Sequence, residues 1–314
     1  MKSIDIVLNI ENIKRIIDMN HMKNIASNKS ICYNKINKYM RNMKGKKHMT
    51  KVLSFISAKG GVAKTTVTID VAALLHKKGY NVLVMDLDEN CSLSANIGAD
   101  YIDNKQSMYE ILTSDGDIDL NSCIQHLEVF DLITGSKSLS KLITILTGPD
   151  DKYRLQDVIE VIKNIYSYDF ILIDNSPSRS LLLTMTYIAS DYIVIPTLCD
   201  DCSTNMVYSA ENDLMQLKNS RDHLSHAEVL GYLLTYYQAN TNMCQVALEK
   251  LKGMADEKEP KPFVKTISYG ISMSEVKSYH TSVNLLKRTD KTSKIQDDYE
   301  ELVRELLKRM GDEK

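Results

Sequence analysis

An α/β fold, with a mainly parallel, twisted sheet covered by helices on both faces, is predicted from two observations. From residue 51 onward, short apolar runs rich in branched and aromatic residues alternate with helix-length segments, and strands buried on both faces read as such continuous runs. The first run, 52–56, leads through Ala58-Lys59-Gly60-Gly61-Val62-Ala63-Lys64-Thr65-Thr66 into a helix-like stretch at 67–78. A glycine-rich turn between strand and helix start lets successive N–H groups point inward, which makes it a phosphate cradle.

Ahead of this alternation lies a basic helical extension, assigned to residues 1–48, with residues 49–314 forming the α/β domain. Residues 1–50 carry eleven Lys/Arg against Asp5, Glu11 and Asp18, a balance of +8 that leaves −10 for the rest of a chain of net charge −2. Ile10, Ile13, Ile16 and Ile17 recur at helical spacing. Segments 22–28 and 31–42, split at Lys29-Ser30, approximate a helix-turn-helix that would turn Asn34, Asn37, Lys38 and Arg41 outward. A basic arm that touches phosphates or a dimer partner, or a leader ending at His48-Met49, fits the same composition.

Within the domain, strands are expected at 82–85, 129–133, 170–173, 192–195 and 229–234, and helices at 153–166 and 204–218. Residues 100–126 read as short helices and loops, and 291–310 as a terminal amphipathic helix. No apolar run approaches the ~18 residues needed to span a bilayer. The six cysteines are scattered and no secretory signal precedes them, so a reduced cytoplasmic protein is expected. Cys199 and Cys202 have C-x-x-C spacing but lack a second pair, and are expected to be incidental thiols in a loop.

Ligands in such folds collect at the carboxyl ends of the strands, and three ends carry the polar residues a nucleotide site needs. In the loop, Lys64 offers a point charge for outer phosphates and the Thr65 hydroxyl can ligate magnesium. Ala63 stands where the general pattern has its last glycine. After 82–85, Asp86 and Asp88 place two carboxylates two residues apart. After 170–173 comes Asp174-Asn175-Ser176-Pro177-Ser178.

Lys59, directly before the glycine pair, completes a K-G-G-x-x-K-T arrangement that resembles the deviant Walker A box of the ParA/MinD family of P-loop NTPases. Asp174 and the residues after it resemble a Walker B carboxylate and switch II turn. Asp88 matches the second aspartate of the family's D-x-D-P-Q switch I motif, with Glu89-Asn90 in place of Pro-Gln. The segment from Ala189 to Thr197 resembles A-S-D-x-x-x-x-P, and Gly231-Tyr232-Leu233-Leu234-Thr235 is similar to the strand before the nucleotide-base region. Ser272-Met273-Ser274-Glu275-Val276-Lys277-Ser278 is similar to the R-L-S-E-A-x-S signature of the ParA branch, with Ser272 replacing the arginine.

The resemblance implies a magnesium-dependent ATPase that forms a homodimer in the ATP state, with Lys59 reaching the partner's phosphates and Lys64 its own. It assigns Lys59, Lys64 and Asp88 to catalysis, with Asp88 positioning the attacking water. ATP would be held by Lys59, Gly60, Gly61, Val62, Ala63, Lys64, Thr65 and Thr66, and magnesium by Thr65 and Asp174. It further implies DNA partitioning in the cytoplasm at the nucleoid, through non-specific DNA binding and a centromere-binding ParB-like adaptor that stimulates hydrolysis.

Cations for DNA are present at Lys258, Lys261, Lys265, Lys277, Lys287, Arg288, Lys291 and Lys294, which exceed Glu259, Glu275 and Asp290 by five. Phosphate contacts of this kind give affinity without sequence information. An ATP-switched DNA-binding transcriptional regulator is the alternative. A MinD-like membrane-positioning ATPase is disfavoured, because acidic residues offset the cations of the terminal helix.

Overall fold

The computed structural model describes residues 49–102, 106–116, 118–270, 281–290 and 292–312. The helix-turn-helix reading, the domain boundary after residue 48 and the 272–278 signature lie outside these residues. Among them run β1 (Lys51–Phe55), β2 (Val82–Leu87), β3 (Ile124–His126), β4 (Asp131–Ile133), β5 (Phe170–Asn175), β6 (Tyr192–Thr197), β7 (Glu228–Tyr237) and β8 (Phe263–Ser268). They form one sheet in the spatial order β3-β4-β2-β5-β1-β6-β7-β8. All neighbours are parallel except the β3–β4 pair.

The helices are α1 (Lys64–Lys77), α2 (Ser92–Asn96), α3 (Met108–Thr113), α4 (Leu120–Cys123), α5 (Leu142–Ile145), α6 (Arg154–Ile165), α7 (Leu181–Ala189), α8 (Asp201–Lys218), α9 (Asn242–Asp256) and α10 (Ser293–Arg309). Alternation of side chains divides each central strand between two cores. Leu53, Phe55, Val82, Val84, Phe170 and Leu172 pack with α1 and α10. Val52, Leu83, Met85, Ile171 and Ile173 meet α3, α6 and α7 on the opposite face. Beneath β6 and β7 that second face continues with α8 and α9 through Val207, Leu214, Leu251 and Met254.

Strand β1 lies between β5 and β6, and the chain leaves it on one side through α1 to reach β2 and returns later to its other side as β6. That reversal opens a crevice at the carboxyl ends of the central strands. Helix α1 is also tied far along the chain: buried Asp70 accepts hydrogen bonds from the Ser282 hydroxyl and, at 3.0 Å, from Asn284 Nδ2. The apolar side of α10, with Tyr299, Leu302, Val303 and Leu306, is buried in the same core. No helix among the described residues is long and apolar enough to cross a membrane.

Three features depart from the sequence-based expectation. The 100–126 region holds α3 and α4 but ends in β3, and an eighth strand, β8, was not expected because Lys265 and Thr266 interrupt its apolar pattern at the sheet edge. Cys199 and Cys244 are joined by a disulfide across a Cα–Cα distance of 4.6 Å, against the expectation of a reduced protein with incidental thiols. Cysteine spacing does not reveal that the end of β6 meets the first turn of α9. Cys202, the other member of the C-x-x-C, is free and exposed.

Gly231 of β7 pairs with Phe263 of β8, and a Cβ there would stand 2.3 Å from the Phe263 ring. Gly231→Ala is therefore expected to destabilise the domain by about 1–3 kcal/mol, the usual range for overpacking. Urea unfolding measures this, and an unchanged midpoint would show that the ring moves freely.

Candidate active site

Backbone conformation shapes the loop after β1. Gly61 has φ 75° and Ala63 φ 62°, both in the left-handed region that glycine enters without strain. Ala63 is the N-cap of α1, offers no side-chain cap and is followed by no acidic residue in the first turn. Helix starts commonly satisfy their first amides with Ser, Thr, Asp or Asn. Here the first bond of the helix is Val67 N–H to the Ala63 carbonyl at 2.9 Å, so the preceding N–H groups remain directed at an incoming anion. The Val62 carbonyl accepts from Thr235 Oγ1 at 3.3 Å, and the same hydroxyl donates to the Thr197 carbonyl at 3.0 Å. The loop is thereby anchored to β6 and β7. Gly60 and Gly61 form its exposed rim, and Thr66 is half-buried.

Lys64 is buried, and its Nζ donates to the carbonyls of Ser57 and Lys59, each at 3.2 Å. Burial lowers its pKa, while Asp174 and Asp88 act in the opposite direction. Thr65 Oγ1 donates to Asp174 Oδ2 at 2.7 Å. The register of β2 and β5 places Asp86 level with Asp174, and both are wholly buried. Burial, and next the charge of Asp86, push the Asp174 carboxyl up to about 8 against the bond from Thr65 and the charge of Lys64.

Asp174 Oδ1 has no hydrogen-bond partner, an open hard-oxygen donor beside a hydroxyl. Among the described residues no group of three or more His, Cys, Asp or Glu could hold a metal. The Thr65 hydroxyl and the open Asp174 oxygen fit a cation that takes its remaining oxygens from phosphate and water, as magnesium does.

The second carboxylate pair divides its work. Asp86 is structural: Oδ2 accepts from Ser94 N at 3.0 Å and Ser94 Oγ at 2.6 Å, and Oδ1 accepts from Asp88 N at 3.1 Å. Asp88 stands above it, with Oδ1 accepting from Asn90 N and Nδ2, both at 2.9 Å. Glu89-Asn90, which stood where Pro-Gln was expected, therefore forms a turn that the Asp88 side chain closes, before Cys91 opens α2 at φ 52°. Sequence reading missed Gly135 at the end of β4. Its N–H donates to Ser94 Oγ at 3.1 Å, and a Cβ there would stand 2.9 Å from the Asp88 carbonyl oxygen.

Lys59 does not join this group. Its Nζ points away from the loop to α8, where Asp200 Oδ2 accepts at 2.8 Å and Ser203 Oγ at 2.6 Å. Asp200 and Ser203 were also missed, since 141 residues separate Lys59 from Asp200 and only the β1–β6 pairing brings them together.

The described members of the basic cluster are largely paired within the chain. Lys258 meets the buried Glu211 at 2.8 Å, Lys265 meets Glu301 at 3.5 Å, Lys294 meets Asp298 at 2.8 Å, Lys261 meets Asp256, and Arg288 meets Asp297. The excess of five cations counted along the sequence is thus reduced in space by carboxylates from other elements. Lys277 and Lys291 lie outside the described residues.

A family model for an AAA domain matches residues 50–226. The sporulation initiation inhibitor protein Soj of Bacillus subtilis is 30% identical over 237 residues, 74% of this chain and 89% of that protein. The chromosome partitioning protein ParA of Myxococcus xanthus is 26% identical over 277 residues, 86% of this chain and 93% of its own. A plasmid partition protein of Borrelia burgdorferi, solved with AMPPNP, shares the fold with a TM-score of 0.68 at 22% identity, over 83% of this chain and 100% of that one.

The strained Ala63 gives a direct test of the loop. A Cβ in the left-handed region costs about 1–2 kcal/mol, whereas glycine adds about 0.5–1 kcal/mol of unfolded-state entropy. Ala63→Gly is expected to leave the denaturation midpoint unchanged or raise it, by at most about 1.5 kcal/mol in stability. A fall in that midpoint would mean that the methyl group's packing outweighs the strain.

Proposed function

Because this chain belongs to the ParA/MinD family of deviant Walker A ATPases, we propose that it partitions DNA by cycles of ATP binding and hydrolysis. In this reading ATP with magnesium fills the loop, the ATP-bound protein forms a homodimer, and the dimer binds DNA without sequence preference. A ParB-like adaptor at a centromere-like site stimulates hydrolysis and releases it. The observation that carries the reading is the convergence of Lys64, the Thr65–Asp174 pair and Asp88 on one end of the sheet.

The chain's own residues supply most of the mechanism. Loop amides and the start of α1 hold the phosphates, and Lys64 turns its charge from the loop carbonyls to the outer phosphate. Thr65 and Asp174 hold magnesium, which neutralises phosphate charge when bound. Asp88, fixed through one oxygen by Asn90, keeps the other for a water placed in line with the terminal phosphoryl group. Lys59 of the second subunit adds charge on the transferring group.

DNA binding draws support from the family and from the arm at residues 1–48. The intramolecular ion pairs of residues 258–294 leave less free charge on that face than its composition suggests. The same +8 arm also favours a second reading, a regulator that uses ATP only as a switch while its arm reads an operator. Multiple-turnover phosphate release separates the two, and stimulation by non-specific DNA supports partitioning.

Lys64→Ala is expected to abolish productive ATP binding. Asp88→Ala is expected to retain the ATP dimer while hydrolysis falls about 100-fold or more, as for loss of a positioned base; undiminished turnover would remove Asp88 from the mechanism. Deleting residues 1–48 is expected to spare ATPase activity and weaken DNA binding across a salt titration. Equal DNA affinity with and without the arm would overturn that assignment.

A further inference from the structure

Three of the described cysteines gather where β6 and β7 end. Cys199 follows β6 and is half-buried, Cys202 is exposed in the first turn of α8, and Cys244 is buried in the first turn of α9. Cys199 and Cys244 are joined. The other two described cysteines stand apart. Cys91 and Cys123 are buried, and burial raises both thiols, Cys91 to about 12, which leaves neither a thiolate for exchange.

The bond holds a part of the chain that has little else to hold it. Thr241, the N-cap of α9, makes no side-chain cap bond. Asn242, Met243, Gln245 and Val246 are exposed, so that only Cys244 and Ala247 of residues 242–247 are buried. The turn that enters α9 leans on the bridge as well, because Gln238 N–H donates to Cys244 Sγ at 3.4 Å. Three residues earlier, Thr235 Oγ1 donates to the Val62 carbonyl of the phosphate loop and to the Thr197 carbonyl of β6. The bridge therefore braces the turn that leaves the strand anchoring the loop.

We propose that Cys199, Cys202 and Cys244 form a thiol–disulfide exchange site for a dithiol reductant, and that its oxidation state sets how firmly the phosphate loop holds nucleotide. The inference rests on the reading that this loop binds ATP. An ATPase working on DNA meets cellular thiol reductants, among which a disulfide is transient and redox-sensing. Access favours entry through Cys202, since Cys244 is buried. The Cys202 thiolate, its proton lost to water, attacks Cys199 Sγ. A Cys199–Cys202 bond forms, the Cys199–Cys244 bond breaks, and Cys244 leaves as a thiolate that takes a proton. One thiolate of the reductant then attacks Cys202, displacing Cys199, and its second thiolate closes the reductant's own disulfide, displacing Cys202. Two electrons and two protons have passed from the dithiol to the protein. With the bridge open, the start of α9 and residues 238–241 must be ordered when nucleotide binds, which costs affinity.

The test uses the full chain, treated with oxidised glutathione or with dithiothreitol, alkylated to block free thiols and mapped by peptide mass. AMPPNP affinity with magnesium is measured on dilute protein in both states. Reduction is expected to weaken binding about fivefold, equivalent to ordering about one residue of backbone. Cys244→Ser and, independently, Cys199→Ala should bind at the reduced level and ignore dithiothreitol. In Cys202→Ser the Cys199–Cys244 bond should yield to dithiothreitol about tenfold more slowly. A parent that forms no Cys199–Cys244 bond on oxidation, or binds AMPPNP equally or more tightly when reduced, overturns the switch and leaves the ATPase reading intact. Reduction of Cys202→Ser at the parent's rate overturns the entry through Cys202. A parent that binds no AMPPNP in either state overturns the ATPase reading and the switch with it.

Discussion

Asp86 and Asp174 sit side by side because β2 pairs with β5 in a single register, and the site depends on that crowding. The Asp174 carboxyl is pushed up to about 8, by burial first and by the charge of Asp86 second. The conflict is eased by division of labour. Asp86 spends its oxygens on Ser94 and the Asp88 amide, which builds the turn carrying Asp88. Asp174 keeps one oxygen on Thr65 and leaves the other open. Lys64, itself discouraged from charge by burial, lies close enough to feel both Asp174 and Asp88. The site therefore sets three buried carboxyls, Asp86, Asp88 and Asp174, against one buried lysine, Lys64.

The two lysines of the loop have opposite fates for one geometric reason. Lys64 begins α1, so its side chain folds back over the loop and finds the Ser57 and Lys59 carbonyls. Lys59 lies before the glycine pair, on the side where β6 runs next to β1, and reaches Asp200 at the start of α8. One lysine belongs to the cradle and the other to its border. Ala63 marks the boundary between them, adopting the left-handed conformation that a glycine would adopt without cost.

Much of the fold was legible because the central strands are uninterrupted apolar runs: 82–85 and 170–173 lie within β2 and β5, which extend them to Leu87 and Asn175. The edge strands were not. β3 has only three residues, and β8 carries Lys265 and Thr266 toward partly exposed positions. At the site, residues contiguous with a strand end stand out in the sequence, which is why Thr65, Asp88 and Asp174 could be singled out from it. Gly135, Ser94, Asp200 and Ser203 were not, because each matters through a neighbour supplied by another strand. The same limit applies to charge: Lys258 looks free along the chain, yet Glu211, 47 residues away, meets it. The Cys199–Cys244 bond is of this kind too.

The position of β1 also orders the events of synthesis. The phosphate loop is made early in the domain, but the two strands that flank β1 are β5 and β6, whose partners to Lys51 and Leu53 are Phe170 and Tyr192. Helix α1 waits longer still, since its core partners Tyr299, Leu302 and Leu306 come near the end of the chain. Contacts so distant in sequence form only after long loops close. The geometry of the loop is thus set by strands and a helix far along the chain from it.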